Sequence, residues 1–320
     1  MKVILGAGTM GHTIAETFII GGFKTVLYDP FEDALKNALD GIIKDLEFLK
    51  KFELFNEDIE KVLKRLKTTS DLKEAVAEAD FILETAPEKI EIKRELLGSV
   101  ADFAPEDAVI ASNTSSLGFT LLADCLPKDR HDKFLMCHWY NPGNIMPLVE
   151  LSDYGNMKPD DVDKIEDMFK KMGKVTIRAK KEVPGMVANR IQQGVAREVF
   201  WLMNNGIASA EDIDKALTYG PAFRYATSGQ LLIADMGGLD IWCTTGDNLL
   251  KDMDNSQKAN PILREKVAEG KLGMKSGEGF FKYPEEEKDA IYQKYLEKLC
   301  KQLKVSKTYL ELKEEKWQRQ

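Results

Sequence analysis

The chain opens on a short apolar run, Val3-Ile4-Leu5, that leads at once into Gly6-Ala7-Gly8-Thr9-Met10-Gly11 and then into a helical pattern. A strand that ends on this glycine spacing, with a helix starting inside it, predicts the β-turn-α unit of a dinucleotide-binding fold. Gly6 permits the tight turn, Gly8 lets a pyrophosphate approach the backbone, and Gly11 lets the helix pack closely on the strand. Thr9 and Met10 complete the turn, whose unpaired N–H groups face the phosphates at the positive end of the helix dipole.

Glycine-rich turns also occur without a ligand, so the flanks carry the inference. Met10, Ile14 and Phe18, with Ala15 and Ile19 beside them, form one apolar stripe at helical spacing. Gly21-Gly22 stops that helix, and Lys24 to Asp29 reads as the second strand. Asp29 lies 18 positions past Gly11, where a carboxylate accepts from both ribose hydroxyls and repels a 2′-phosphate. Pro30, Phe31, Glu32 and Asp33 follow, so the expected cofactor is NAD and not NADP.

At 320 residues the chain is expected to form two domains. Its 43% hydrophobic and 31% charged residues are an ordinary globular balance, and a net charge of -8 offers no general attraction to nucleic acid or to an anionic membrane. No apolar stretch approaches the length of a membrane span, and the chain is expected to begin in its fold without a signal peptide. Cys125, Cys137, Cys243 and Cys300 show no metal or disulfide spacing, which fits a reduced cytoplasm and no metal site.

From about Glu32 to Leu66 runs a charged helical stretch broken near Phe55-Asn56. Its Lys44, Lys50, Lys51, Lys61, Lys64, Arg65 and Lys67 read either as a solvated helical hairpin or as a grip on phosphates of a large substrate. Short apolar runs recur at Phe81–Glu84, Ala108–Ala111, Phe134–Cys137, Leu148–Leu151 and Val175–Arg178, with helical segments such as Ile90–Val100 and Asp160–Met172 between several of them. The alternation predicts an α/β fold, a Rossmann-type doubly wound and largely parallel sheet with helices on both faces. After Pro184 the spacing turns helical: Val187, Ile191, Val195 and Val199, then Ala210 to Leu217, and on to about Asp254. The expected organisation is a Rossmann domain over 1–183, an all-helical domain over 184–284 and a charged helical tail over 285–320, with Ile291, Tyr295 and Leu299 on one stripe.

A nicotinamide cofactor leaves the protein to supply a base, its orienting partner and donors to the reacting oxygen. Of three histidines, His12 reads as a half-exposed surface position and His131, in a charged loop, as solvated. His138 ends the apolar run Phe134–Cys137 at a carboxyl end of the sheet, where ligands bind in open α/β folds. It reads equally as a hydrogen-bonded core histidine.

His138-Trp-Tyr-Asn-Pro142, with Glu150 twelve positions after the histidine, resembles the L-3-hydroxyacyl-CoA dehydrogenases and their relatives. The resemblance continues through Ser112–Leu117, Val183–Arg190, Ala234–Asp240 and Gly273–Phe281, in order, over about residues 1 to 283. It implies His138 as general base, Glu150 as its partner, and Ser115 and Asn189 as hydrogen-bonders to the reacting oxygen. It places Asn113 at the cofactor, together with Glu88 and Lys93, which also read as ordinary helix charges. A homodimer through the helical domain is implied too, with Trp201, Leu202 and Met203 available to it or to an internal core.

Relatives acting on acyl-CoA commonly carry Pro-Met-Gly-Pro where this chain has Phe223-Arg-Tyr-Ala-Thr-Ser-Gly229, which looks more like the L-gulonate, lambda-crystallin and carnitine group. Arg224 suits either a substrate carboxylate or a salt bridge. The expected function is oxidation of an L-3-hydroxyacyl-CoA in a cleft between the domains. The alternatives are the same chemistry on a small free 3-hydroxy acid, or a cofactor-binding structural protein with little activity. Relatives of 6-phosphogluconate dehydrogenase are disfavoured, since Gly185 occupies the place of their lysine four positions before Asn189. The short first strand suggests a trimmed start, with weak cofactor affinity as a consequence.

Overall fold

A computed structural model describes residues 1–311, with side-chain surroundings through residue 308, so residues 312–320 of the expected tail lie outside the described residues. The chain divides into two compact units, 1–188 and 189–320.

The first unit holds eight strands: β1 (Lys2–Leu5), β2 (Thr25–Tyr28), β3 (Leu66–Thr69), β4 (Phe81–Glu84), β5 (Val109–Ser112), β6 (Phe134–Trp139), β7 (Leu148–Ser152) and β8 (Val175–Arg178). They lie in one sheet in the order β3-β2-β1-β4-β5-β6-β7-β8. β1 to β6 run parallel, connected by α1 (Thr9–Ile20), α2 (Glu32–Lys51), α3 (Ile59–Leu63), α4 (Leu72–Val76), α5 (Ile90–Phe103) and α6 (Phe119–Ala123). β7 returns antiparallel to β6, because loop 140–147 is shorter than the roughly dozen residues a parallel crossover needs. β8 follows through α7 (Pro159–Lys171) and pairs parallel to β7.

Strand alternation divides the apolar residues between the two faces. Val3, Leu5, Ile82, Ile110, Phe134 and Met136 pack with Val76, Leu97, Val100 and Leu122 of α4, α5 and α6. On the other face Phe18 of α1 lies 6.0 Å from Phe81, 6.1 Å from Trp139 and 6.2 Å from Phe169 of α7, ring centre to ring centre. Both faces are covered, so the parallel strands carry near-continuous apolar runs.

Strand β3 departs from the sequence reading, which carried helix to Leu66. Only Leu66 of Leu66-Lys-Thr-Thr69 is apolar, Lys67 and Thr68 are exposed, and the segment is an edge strand held by its register with β2. α2 buries Leu35, Ala38, Ile42, Leu46 and Leu49, so the expected hairpin has an ordinary apolar face.

The second unit is helical among the described residues. It continues α8 (Met186–Asn204) and adds α9 (Ala210–Tyr219), α10 (Pro221–Tyr225), α11 (Gln230–Gly237), α12 (Leu239–Leu249), α13 (Pro261–Ala268) and α14 (Lys288–Glu311). Ser209 and Asn260 accept backbone N–H bonds at the starts of α9 and α13, the ordinary capping arrangement. In α14 the buried residues are Leu296 and Cys300, one position along from the expected Ile291-Tyr295-Leu299 stripe. Tyr295 instead stacks on Tyr292 at the surface. No described helix is long and apolar enough to cross a membrane.

Phe18 joins α1 to two rings of the sheet, Phe81 and Trp139, and to Phe169 of α7. Phe18→Ala should cost about 3–5 kcal/mol of unfolding free energy, read as a lower urea midpoint. A loss below about 1 kcal/mol would mean that the cluster does not hold this face.

Candidate functional site

The glycine turn is built by exclusion. A Cβ at Gly11 would lie 1.7 Å from the Gly6 carbonyl oxygen, and Gly6 itself has φ +103°. Thr85, at the end of β4, fastens the turn, its hydroxyl lying within reach of the Leu5 and Gly6 carbonyls at 3.0 and 3.1 Å. Gly8, by contrast, faces open space, and it starts α1 without a side-chain cap. The Asp29 carboxylate ends β2 beside the turn and accepts from Ala7 N–H at 2.8 Å and Phe31 N–H at 3.0 Å. Each oxygen keeps a lone pair for a ribose hydroxyl. Bare N–H groups, an open Gly8 and a fixed carboxylate fit NAD.

Next to the turn lies a cavity of about 370 Å³ lined by Met10, Thr85, Ala86, Glu88, Asn113, Ser115 and Ser116. It sits at the carboxyl ends of β4 and β5, where α/β sheets bind ligands. Asn113 Oδ1 accepts from Trp139 N–H at 2.8 Å, tying the end of β5 to β6. Glu88 organises the loop after β5. It accepts from the Thr114 hydroxyl, from Ser115 N–H at 3.0 Å, and from Ser116 N–H and hydroxyl at 2.9 and 2.8 Å. Burial works against its charge, but the Thr114 and Ser116 donors, aided by Lys93, hold its carboxyl down at about 2.

Lys93 is fully buried and does not line that cavity. It donates to Glu84 Oε1 at 2.6 Å and to the Ala86 carbonyl at 3.1 Å, with Glu88 Oε2 at 3.5 Å. Glu84, also fully buried, accepts in addition from Ala86 N–H and from the Ser112 hydroxyl, both at 2.6 Å. The lysine expected beside the cofactor thus holds the β4 and β5 ends in place. Glu84, Thr85 and Thr114 were not singled out from sequence. A glutamate ending the apolar run Phe81-Ile-Leu was the available signal for the first.

His138 lies inside β6, one residue before its end, and the β6–β7 register sets it directly opposite Glu150. Facing side chains share one side of the sheet, and His138 Nδ1 meets Glu150 Oε2 at 2.9 Å. Both residues are buried. Glu150 Oε1 accepts from Val187 and Ala188 N–H, each at 3.0 Å, at the start of α8. Gly185 at φ +81° and Met186 at φ +52° turn those two N–H groups toward it. Burial raises the cost of its charge, yet the His138, Ala188 and Val187 bonds hold Glu150 below the usual carboxylate range. A carboxylate at Nδ1 keeps the hydrogen there and leaves Nε2 basic. Nε2 faces the Ser115 hydroxyl at 3.1 Å. The Tyr140 ring stands edge-on to the imidazole at 5.5 Å, and burial followed by the charge of Glu150 raises its phenol to about 12.

Of the other expected residues, Asn189 is the first residue of the second unit, on α8 and next in sequence to Ala188, and Arg224 is exposed on α10. His12 is half-buried, with Nδ1 3.0 Å from the Gly8 carbonyl and Nε2 3.6 Å from Asp45. His131 is not simply solvated: it is half-buried, with Nε2 3.2 Å from the Leu126 carbonyl. Of the hairpin cations, Arg65 is bound to Glu57 and to the Ile19 carbonyl, and Lys67 to Glu74.

Two outcomes follow from this geometry. Gly8→Ala should leave thermal stability nearly unchanged while weakening NAD binding, whereas Gly11→Ala should lower both. Equal stability losses would remove Gly8 from the cofactor contact. The carboxyl of Glu88 sits below its unfolded value, so its stabilisation is complete above about pH 4.5 and is lost as pH falls toward about 2. Acid unfolding of Glu88→Gln should lack that component, and an identical profile would show that the bonds to the 114–116 loop carry no stability.

The family described as 3-hydroxyacyl-CoA dehydrogenase, NAD binding domain, matches residues 2–183, and its C-terminal domain matches residues 185–283. The chain is 30% identical over 296 residues to 5-formyl-3-hydroxy-2-methylpyridine 4-carboxylate 5-dehydrogenase of Mesorhizobium japonicum, covering 92% of this chain and 94% of that one. It is 32% identical over 288 residues to human mitochondrial hydroxyacyl-coenzyme A dehydrogenase, covering 88% and 90%. A crystal structure of a pyridine carboxylate dehydrogenase of the former kind, described as an NAD+ dependent dismutase, superposes with a TM-score of 0.87 at 29% identity, covering 96% and 98%. With an NAD-binding turn, a mostly parallel sheet and a helical unit in matching order, the chain belongs to the 3-hydroxyacyl-CoA dehydrogenase family of NAD-dependent oxidoreductases.

Proposed function

We propose that this protein oxidises the 3-hydroxyl of an L-3-hydroxyacyl-CoA reversibly to the 3-ketoacyl-CoA, with His138 as general base. One observation carries the reading: a buried imidazole held by Glu150 at Nδ1, with Nε2 turned toward a serine hydroxyl. Bound NAD supplies the hydride acceptor. His138 Nε2 takes the hydroxyl proton as the C3–H bond gives up its electron pair, and the C–O bond becomes C=O. Glu150 holds the ring through this step and stabilises the imidazolium. Ser115 and Asn189 donate to the reacting oxygen, Asp29 binds the adenosine ribose, and Glu88 orders the loop that carries Ser115. In reverse, the imidazolium returns its proton to the forming alcohol.

A second reading, oxidation of a small free hydroxy acid, is favoured by Arg224. It is exposed on α10, and a guanidinium there suits a carboxylate, which it can hold with two hydrogen bonds. The relative named for a pyridine carboxylate shares the carboxylate of this reading, with a formyl group at the position its name gives as oxidised. We further place the protein in the cytoplasm, in fatty acid metabolism if the thioester reading holds, and read it as a homodimer through its helical unit. There Leu231, Met236 and Leu239 of α11 and α12 are 84%, 74% and 62% exposed, more than the half-buried Trp201, Leu202 and Met203.

NAD reduction measured side by side with L-3-hydroxybutyryl-CoA, L-carnitine and L-gulonate separates these readings. Preference for the thioester supports the first, and activity on carboxylates alone, lost in Arg224→Ala, supports the second. NAD binding without turnover of any hydroxy substrate would leave a structural protein. His138→Gln should lower kcat about 100- to 10,000-fold while NAD affinity is kept. Loss of NAD affinity equal to the loss of rate would overturn the assignment of the base.

A further inference from the structure

Helix α1 carries a glutamate in its interior. Glu16 is fully buried, and its Oε2 accepts from Asn144 Nδ2 at 3.1 Å. Asn144 belongs to loop 140–147, the connection between the strands that bear His138 and Glu150. The two remaining oxygens, Glu16 Oε1 and Asn144 Oδ1, are both buried and have no hydrogen-bonding partner among the described residues. Two buried acceptors, one on each member of a hydrogen-bonded pair and neither with a donor, are costly. One proton on Glu16 Oε1 removes the cost, because a carboxylic acid and a carboxamide close a ring of two hydrogen bonds, O–H to the amide oxygen and N–H to the acid carbonyl.

The close approach is built in. A Cβ at Gly143 would lie 2.9 Å from Thr13 Oγ1 and 3.2 Å from Ile14 Cγ1, so any larger residue would have to push these α1 side chains aside. The Thr17 hydroxyl also reaches the Gly143 carbonyl, at 3.5 Å. The charged groups around Glu16 come from three elements. Asp45 of α2 opposes a negative charge on it, and His12 of α1 stands beside Asp45. Lys174, between α7 and β8, favours the charge. Its ammonium donates to the Gly143 and Met146 carbonyls at 2.6 and 2.9 Å and lies 5.0 Å from the centre of the Trp139 ring. Burial, followed by Asp45, outweighs the Asn144 bond and Lys174 and drives the acid well above the usual carboxyl range.

We propose that Glu16 is held as the neutral acid and forms with Asn144 a cyclic two-bond pair that fastens the cofactor helix to the His138–Glu150 connection, making both positioning residues for the imidazole. The proton belongs to the folded state. Above the ordinary carboxyl range the unfolded chain releases it, so the wild type loses folding stability as pH rises, until Glu16 ionises in place. Glutamine reproduces the neutral pair, its amide N–H replacing the acid O–H.

The test compares the whole protein with Glu16→Gln, Glu16→Ala and Asn144→Ala. Infrared difference spectra at neutral pH should show a protonated-carboxyl C=O band in the wild type that Glu16→Gln lacks. Between about pH 5 and 8 the folding equilibrium constant of the wild type should fall relative to Glu16→Gln, by up to about tenfold per pH unit. The 15N shifts of the His138 imidazole, assigned with His138→Gln, should move in Glu16→Ala and Asn144→Ala and return to wild type in Glu16→Gln. Absence of the band, or a Glu16→Gln that is less stable at neutral pH with no pH-dependent difference, would overturn the neutral acid. Unchanged imidazole shifts in both alanine variants would overturn the positioning role. These readouts need no substrate and hold whichever hydroxy compound is turned over.

Discussion

A single cross-strand register underlies the site. Because loop 140–147 forces β7 to return against β6, His138 and Glu150 face each other on one side of the sheet, and their 2.9 Å contact needs no long side-chain reach. A slip of one residue would send one of the two to the opposite face. The register also fixes what each partner meets next. Glu150 finds the first N–H groups of α8, and the imidazole finds Ser115 in the loop after β5. One antiparallel pair inside an otherwise parallel sheet therefore brings a histidine and a glutamate twelve residues apart into direct contact.

Around that pair the sheet supplies rigidity through buried polar bonds. Glu84 and Lys93 form an ion pair with both side chains essentially inaccessible, and Ser112 and Ala86 complete the donors to Glu84. Removing one member of such a pair leaves an uncompensated charge, at a cost of about 3–5 kcal/mol, although the intact pair adds little net stability over an apolar substitute. Its value here is geometric. It fixes the ends of β4 and β5, from which Glu88 reaches the 114–116 loop and sets the serine that faces the imidazole.

Local features of the chain announced much of this. The glycine turn, the β-α alternation and the change to helical spacing after Pro184 follow from short-range steric and periodic rules, and the eight-stranded sheet and helical unit match them. Strand β3 was hidden because an edge strand needs only one covered face, and Lys67-Thr68 carry no apolar signal. His138 stood out through scarcity, as one of three histidines and the one placed after an apolar run. Glu84 and Glu16 did not stand out, since a carboxylate inside an apolar segment shows its partners only after folding. Lys93 reads from sequence either as a neighbour of the cofactor or as an ordinary helix charge, and in the fold its ammonium bonds Glu84. Sequence spacing placed it on the first turns of α5 but gave no sign of which way the side chain turns.

Oxidation at a carbinol asks for a base whose strength depends on the carboxylate behind it. The most direct measurement is the pH dependence of kcat/KM for Glu150→Gln beside the wild type, with the hydroxy substrate that is turned over. An imidazole deprived of its carboxylate is a weaker base, so the acid limb of the variant should move to lower pH and its plateau should fall. An acid limb at the same pH with an undiminished plateau would mean that the proton leaves by another route.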